Sequence, residues 1–274
     1  MKVERQPLTT GKGSIGDYTL YQKKKEVIAR TRRNEISEKQ PDSIRIQSIP
    51  LANINNLWHR FPRDWKPVFN VGDEGMSNYN GFVSHARYTL PVYLTRHEAQ
   101  YGDSVLVPVA VSGGLLPPIG VHREGNRFVT DIAVGDGAVG PATVAGDLAE
   151  RILSRNWAFK KDDLLLIYFA RQVVKASVGP RVFIAADVVP LDVYDRRCLA
   201  EVVGGFSGLH VCGGCLASGN IFEGGVAWVH LRRRRNGELL RSNQTLQVVN
   251  PLMDQYCSTQ QRVESLKSYE KKRD

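Results

Sequence analysis

Hydrophobic and polar positions change their period twice along the chain. Between Thr9 and Arg33, glycine, aromatic and basic residues alternate. Tyr18 and Leu20 on one side, and Val27, Ile28 and Ala29 on the other, flank the turn-like Gln22-Lys23-Lys24-Lys25. This predicts a short basic hairpin, exposed at its tip. Ser37 to Gln40 is polar and reads as a linker. From Pro41 the spacing lengthens: Ile46, Ile49, Ile54, Leu57, Trp58 and Phe61 recur mostly at intervals of three to five, one apolar face of a helix. Pro50 interrupts that face, so two helical pieces or one kinked helix are expected. A second short helix is predicted over Asn80 to Tyr88.

After Leu90 the pattern becomes strand-like. Val105 to Val111, Arg127 to Val134, Leu164 to Val174, Val182 to Val193 and Leu209 to Ala217 read as strands. Pro108 places the first at an edge or a bulge. Val226 to Arg232 is expected to pair with Glu238 to Val249 across Asn236-Gly237, a hairpin dipeptide whose two positions both favour positive φ. One helix interrupts the series, with Val144, Leu148, Ile152 and Leu153 on one face. At the end, Ser258 and Gln261 form a capping-box pattern before Val263 and Leu266, opening a polar helix that is expected to be exposed or frayed.

Many strands with Gly, Pro and Asn turns and few helices indicate a mainly β fold with some α. The expected architecture is a β-sandwich, immunoglobulin-like or jelly-roll-like, with an N-terminal arm and a small helical subdomain. Its boundaries fall at 1–36 for the arm, 37–90 for the helical segment, 91–257 for the sandwich and 258–274 for the C-terminal helix and tail. Strands and helices do not alternate, which argues against a doubly wound α/β fold.

Composition narrows the class. Of 274 residues, 42% are hydrophobic and 24% charged, too apolar for a disordered chain. No apolar run approaches the roughly 20 residues of a membrane-crossing helix, so no membrane partner is expected. No apolar stretch follows the basic start at Met1-Lys2, so a secretory signal is not expected, and the reading is a cytoplasmic protein or part of an assembled particle. Cys198, Cys212, Cys215 and Cys257 then read as reduced thiols. Lys and Arg number 37 against 28 Asp and Glu, a net charge of +9 that favours phosphate or acidic partners without choosing between them. The surplus is segmental, at Lys23 to Lys25, Arg232 to Arg235 and the C-terminal lysines.

Each candidate chemistry is weak. Gly11-Lys12-Gly13-Ser14-Ile15-Gly16 spells G-x-G-x-x-G, but no buried strand precedes it and Tyr18-Thr19-Leu20-Tyr21 follows where a helix is required. Cys212-Gly213-Gly214-Cys215 is a C-x-x-C without a second close pair, and reads as two small residues around a Gly-Gly bulge. The six histidines are scattered, and G-x-S-x-G is missing. Asp162-Asp163 and Asp192/Asp195 read as solvated turn acids. Arg232 to Arg235 leads to the Asn236-Gly237 tip, either as a phosphate-contacting finger or as a charged edge that blocks strand-to-strand aggregation. Interleaved aromatics for stacking are absent there, which favours the charged edge.

The segment from Gly11 to Tyr21, with Lys24, Val27 and Arg30 after it, resembles the opening of a large family of gut bacteria and their mobile elements, catalogued as a domain of unknown function. Members have a Gly-rich N-terminal hairpin, a helical segment, an Asn-rich connector and an immunoglobulin-like sandwich. Asn78-Tyr79-Asn80 and Ser112-Gly113-Gly114-Leu115 sit where such a member would place its connector and first sandwich turn, and Trp157 to Tyr168 looks like its later strand. This chain departs in its length, an added helix over 141–156 and a basic tail. The family brings no catalytic residues to carry over. The resemblance implies an arm that pairs with a neighbouring subunit by strand addition.

The resulting expectation is a non-enzymatic assembly protein with no cofactor and no metal. It would self-associate or decorate a larger particle, a phage-type virion or filament, through arm contacts at Tyr18, Leu20, Val27 and Ile28. Its partners would be itself and other particle proteins. The alternative is a nucleic-acid-binding protein using Lys23, Lys24, Lys25, Arg232, Arg233, Arg234 and Arg235.

Overall fold

The computed structural model describes residues 13–15, 18–23, 26–31, 42–69, 77–175, 178–203 and 209–270, with backbone alone for the strands between 13 and 31 and for residues 42, 43, 45, 175 and 178. The chain forms two compact units, Met1–Arg45 and Ile46–Asp274. In the first, β1 (Gly13–Ile15), β2 (Tyr18–Lys23) and β3 (Glu26–Thr31) make an antiparallel sheet in that order. Leu20 opposes Ala29 and Lys23 opposes Glu26, the antiparallel pairing that the expected hairpin requires. Lys24 and Lys25 lie outside the described residues.

The second unit begins within α1 (Asp42–Arg60), one helix that carries Pro50 inside it. Its face at Ile54, Leu57 and Phe61 joins Phe82 of α2 (Asn78–Ala86) in a core that also holds Tyr168 and Ala170 of the sheet. The helical segment therefore has no core of its own; it is one wall of the body. A 3-10 turn at Arg63–Trp65 and the short β4 (Val68–Phe69) follow α1. Thr95 and Glu98 cap α3 (Arg96–Gln100) reciprocally.

Val105, Leu106, Val107 and Val109 are fully buried, but the run joins no ladder; the strand there is β5 (Ala110–Gly113). Amide side chains replace the missing neighbour. Val105 N donates to Asn53 Oδ1 at 2.8 Å, and Asn53 Nδ2 donates back to Val105 O at 2.9 Å. Leu106 N donates to Gln172 Oε1 at 2.8 Å, and Leu106 O accepts from Asn250 Nδ2 at 2.9 Å. A buried backbone must be satisfied somewhere, and here polar side chains do it.

The remaining elements are β6 (Val121–Glu124), β7 (Arg127–Ala133), α4 (Ala145–Arg155), β8 (Leu164–Lys175), β9 (Val178–Pro190), α5 (Leu199–Val202), β10 (His210–Cys212), β11 (Cys215–Ala217), β12 (Gly224–Arg233), β13 (Leu239–Arg241), β14 (Gln244–Thr245), β15 (Gln247–Val249), α6 (Leu252–Tyr256) and α7 (Thr259–Glu270). They form a five-stranded sheet ordered β13-β12-β8-β9 with β15 also on β12, a four-stranded sheet β10-β11-β7-β6, and a three-stranded sheet β14-β5-β4. Among the described residues the strands pair antiparallel except β4 with β5. The body is thus β-rich and antiparallel, with helices packed on it.

Most of β12 and the first part of β8 are buried on both faces, which explains their uninterrupted apolar runs. Leu166, Tyr168, Ala227, Val229 and Leu231 face the α1/α2 core. Leu165, Ile167, Val189, Val226 and Trp228 face a second core with Phe128, Ile132 and Leu216 of the four-stranded sheet and Leu148 and Ile152 of α4.

Two glycine turns exchange the roles expected of them. Gly213 and Gly214 both have positive φ, +56° and +76°, and Cys212 opposes Cys215. They make a two-residue hairpin turn rather than a bulge. At Asn236-Gly237 only Gly237 has positive φ, +83°, and Arg234 N donates to Glu238 O at 2.8 Å, which lengthens that loop. The C-terminal helix is docked, not frayed. Gln261 Nε2 donates to Tyr93 O at 3.1 Å and Ser265 Oγ donates to Leu94 O at 2.6 Å, with Ser265 fully buried.

Candidate functional site

Three places in the body concentrate chemistry or exposed apolar surface. The first lies where the four-stranded layer stops short of the end of β8 and β9. Odd-numbered side chains of β9 face that layer: Val189 is covered by it, while Phe183 is 60% exposed and Ala185 is exposed. Phe169, Ala170, Arg171, Phe183, Ile184 and Ala185 with the 219–221 segment enclose a groove of about 600 Å³. The lining is mainly apolar; Arg171 and Asn220 are its polar members, and Arg127 Nε donates to Asn220 Oδ1 at 3.1 Å. Phe222 beside it is 64% exposed.

Along the same strand, β9 is the last member of its sheet. The register with β8 runs unbroken from Leu164↔Pro190 to Val173↔Arg181. Leu191 N donates to Asp163 O on the continuation of that register, so odd positions of β9 bond inward. Even positions therefore aim outward. Ser104 takes up two of them: its N–H donates to Pro180 O at 2.8 Å, and its Oγ accepts from Val182 N at 3.2 Å. Beyond it, no hydrogen bond from the described residues reaches the outward groups of Ile184, Ala186 and Val188.

The second place is buried. Asp163, 2% exposed, sits just before β8 and accepts from three residues. His230 Nε2 lies 2.6 Å from its Oδ2, Arg232 contributes a bidentate pair at 2.8 Å from Nε and from Nη2, and Lys160 N donates at 2.7 Å. Phe159 lies tilted on the His230 ring, centroids 4.3 Å apart. Burial raises the Asp163 carboxyl, but the hydrogen bonds from His230 and Arg232 outweigh it and hold the group below the usual carboxylate range. This corrects the reading of Asp163 as a solvated turn acid. A carboxylate so fully occupied ties the start of β8 to β12; the sequence hid it because strand pairing brings together positions 67 residues apart.

The third place is the C-x-x-C hairpin. Cys212 Sγ donates to Glu124 Oε2 at 3.2 Å, and Glu124 Oε1 lies 3.1 Å from His122 Nε2. The hydrogen bond to Glu124 pushes the Cys212 thiol up, the opposite of what an activated nucleophile needs. Among the described residues no group of three or more His, Cys, Asp or Glu side chains could hold a metal ion.

The residues singled out from the sequence fall in both units. Tyr18, Leu20, Lys23, Val27 and Ile28 lie on β2 and β3 of the first unit, described by backbone alone. Arg232 is turned into the body by Asp163, leaving Arg233, Arg234 and Arg235 exposed at the tip, with Arg234 paired to Glu238 at 3.0 Å. The β9 edge and its groove were missed. The only signal was the exposed-side alternation of Phe183, Ala185 and Asp187, which the continuous apolar run around them conceals. Comparisons with protein-family models, curated proteins and solved structures gave no match. Among the described residues no helix is long and apolar enough to cross a membrane.

Proposed function

We propose that this chain is a non-enzymatic assembly protein that self-associates or decorates a larger particle of virion or filament type through its N-terminal arm and the surfaces of its body. The observation that carries the reading is that Met1–Arg45 forms a compact unit of its own, whose described strands make a three-stranded antiparallel sheet. A small antiparallel sheet can gain stability by adding a strand from a neighbour. The body's exposed apolar groove supports the same reading, since patches of that kind mark contact surfaces. Within this proposal the body is a β-sandwich of immunoglobulin-like or jelly-roll-like kind, supported by the core shared between its four- and five-stranded sheets.

The test is deletion of residues 1–36. The truncated chain is expected to keep the melting transition of the body and to lose mass in solution relative to the full chain, read by light scattering. An unchanged oligomer would overturn the arm reading. The alternative of nucleic-acid binding loses support at the arginine tip, where Arg232 is committed to Asp163.

A further inference from the structure

We propose that the body carries a second self-association surface, distinct from the arm: the outer edge of β9, paired antiparallel with β9 of a second copy about a two-fold axis at Ala186. Three features of the strand point to this occupant.

Among the described residues the edge is open and unguarded. Exposed strand edges are ordinarily blunted by lysine, proline, a bulge or a covering segment. From Val182 to Val189 the sequence is Val-Phe-Ile-Ala-Ala-Asp-Val-Val, with one charge, no proline, and a register without a shift. This composition favours strand addition.

The open window is also bounded symmetrically. Ser104 occupies the outward groups at Pro180 and Val182, and Pro190, which has no N–H, ends the strand on the other side. What lies between is Ile184, Ala186 and Val188, three outward positions centred on Ala186. An antiparallel copy uses the whole window when Ala186 opposes Ala186: a slip toward Phe183 drives each copy into Ser104 of the other, and a slip toward Val188 sets Ile184 against Pro190, which has no N–H to give.

The side chains complement themselves in that register. On the face toward α1 and α2, Ile184 opposes Val188 of the copy, and the small Ala186 sits on the axis. On the groove face, Phe183 opposes Val189 and Ala185 opposes Asp187. Aromatic with β-branched and β-branched with β-branched neighbours are the favourable cross-strand pairs. Pairing would also extend the sheet continuously through both copies and cover the flank of the exposed Phe183. A second copy is thus favoured over an unrelated peptide, for which nothing in the window selects.

The register makes a charge prediction that no other pairing shares. Ala185 is exposed and lies opposite Asp187 of the copy, twice per dimer. In the full-length chain, Ala185→Asp places like charges together and is expected to raise the dimer dissociation constant roughly tenfold, whereas Ala185→Lys places opposite charges together and lowers it several-fold. Both are read by sedimentation equilibrium, with the melting temperature as the control for folding. Weakening by both variants would mean that Ala185 faces itself, and no effect from either would mean that β9 is not the interface; each overturns the proposal. A measurement on the unaltered chain stands apart from any variant. The amides of Ile184, Ala186 and Val188 are expected to gain hydrogen-exchange protection as concentration rises, and concentration-independent exchange would overturn the pairing. The arm can fail its deletion test while this surface passes, and the reverse, so the two readings remain separable.

Discussion

The two edges of the five-stranded sheet are finished in different ways. On one side β12 is flanked by β13 and β15, each of 3 residues, with the chain leaving between them to form β14 in another sheet. That edge ends in Arg233, Arg234, Arg235 and a glycine turn, and its interior is pinned by Asp163 through His230 and Arg232. On the other side β9 runs 13 residues with a single charge in its open part. Short strands, breaks and charge discourage pairing, whereas a long apolar edge invites it. The difference teaches that one sheet can be closed to neighbours on one side and left available on the other.

The comparison can be broken most severely at Asp163. Asp163→Asn leaves Arg232 half-buried without its counter-charge and is expected to cost about 3–5 kcal/mol in urea unfolding, with the β12–β13 amides exchanging first. Because the folded Asp163 carboxyl is held below its usual value, its contribution is present above the unfolded value of about 3.9 and is lost as pH falls through the folded value. The wild-type chain should therefore lose stability more steeply than the Asn variant on acidification below about pH 4. Gly225→Ala comes next. A Cβ there would lie 2.6 Å from Gln247 O, forcing β15 off β12 at an expected cost of about 1–3 kcal/mol, read from the urea midpoint. Gly237→Ala has open space around it but a φ of +83°, so its cost is conformational and close to about 1 kcal/mol in thermal melting. The smallest stability effect belongs to replacing Arg233, Arg234 and Arg235 by threonine together. Exposed charges of this kind contribute within about 0.5 kcal/mol. The same variant should nonetheless form larger species by light scattering, because it opens the guarded edge; an unchanged mass would show that strand length alone closes it.

Much of this architecture was legible in residue patterns. The alternation in β7, the apolar runs of β8 and β12, the α4 face and the basic hairpin of the arm all follow from local period and turn chemistry. Val105 to Val109 misled because its apolar spacing records burial, and a buried segment can satisfy its backbone through Asn53, Gln172 and Asn250 as well as through a ladder. The C-terminal helix misled for the opposite reason: Gln261 and Ser265 look like surface residues, yet they reach the carbonyls of Tyr93 and Leu94. The Asp163 cluster and the open edge of β9 were not legible. Both depend on which strand lies beside which, a property of pairing between distant segments that no local window contains.

Those same two carbonyl contacts set an order of events during synthesis. Tyr93 and Leu94 are joined to Gln261 and Ser265 across separations of 168 and 171 residues. Such distant closures are slow to form and cannot precede translation of the residues that make them. A nascent body must wait for α7 to leave the ribosome, with the long apolar flank of β9 already made.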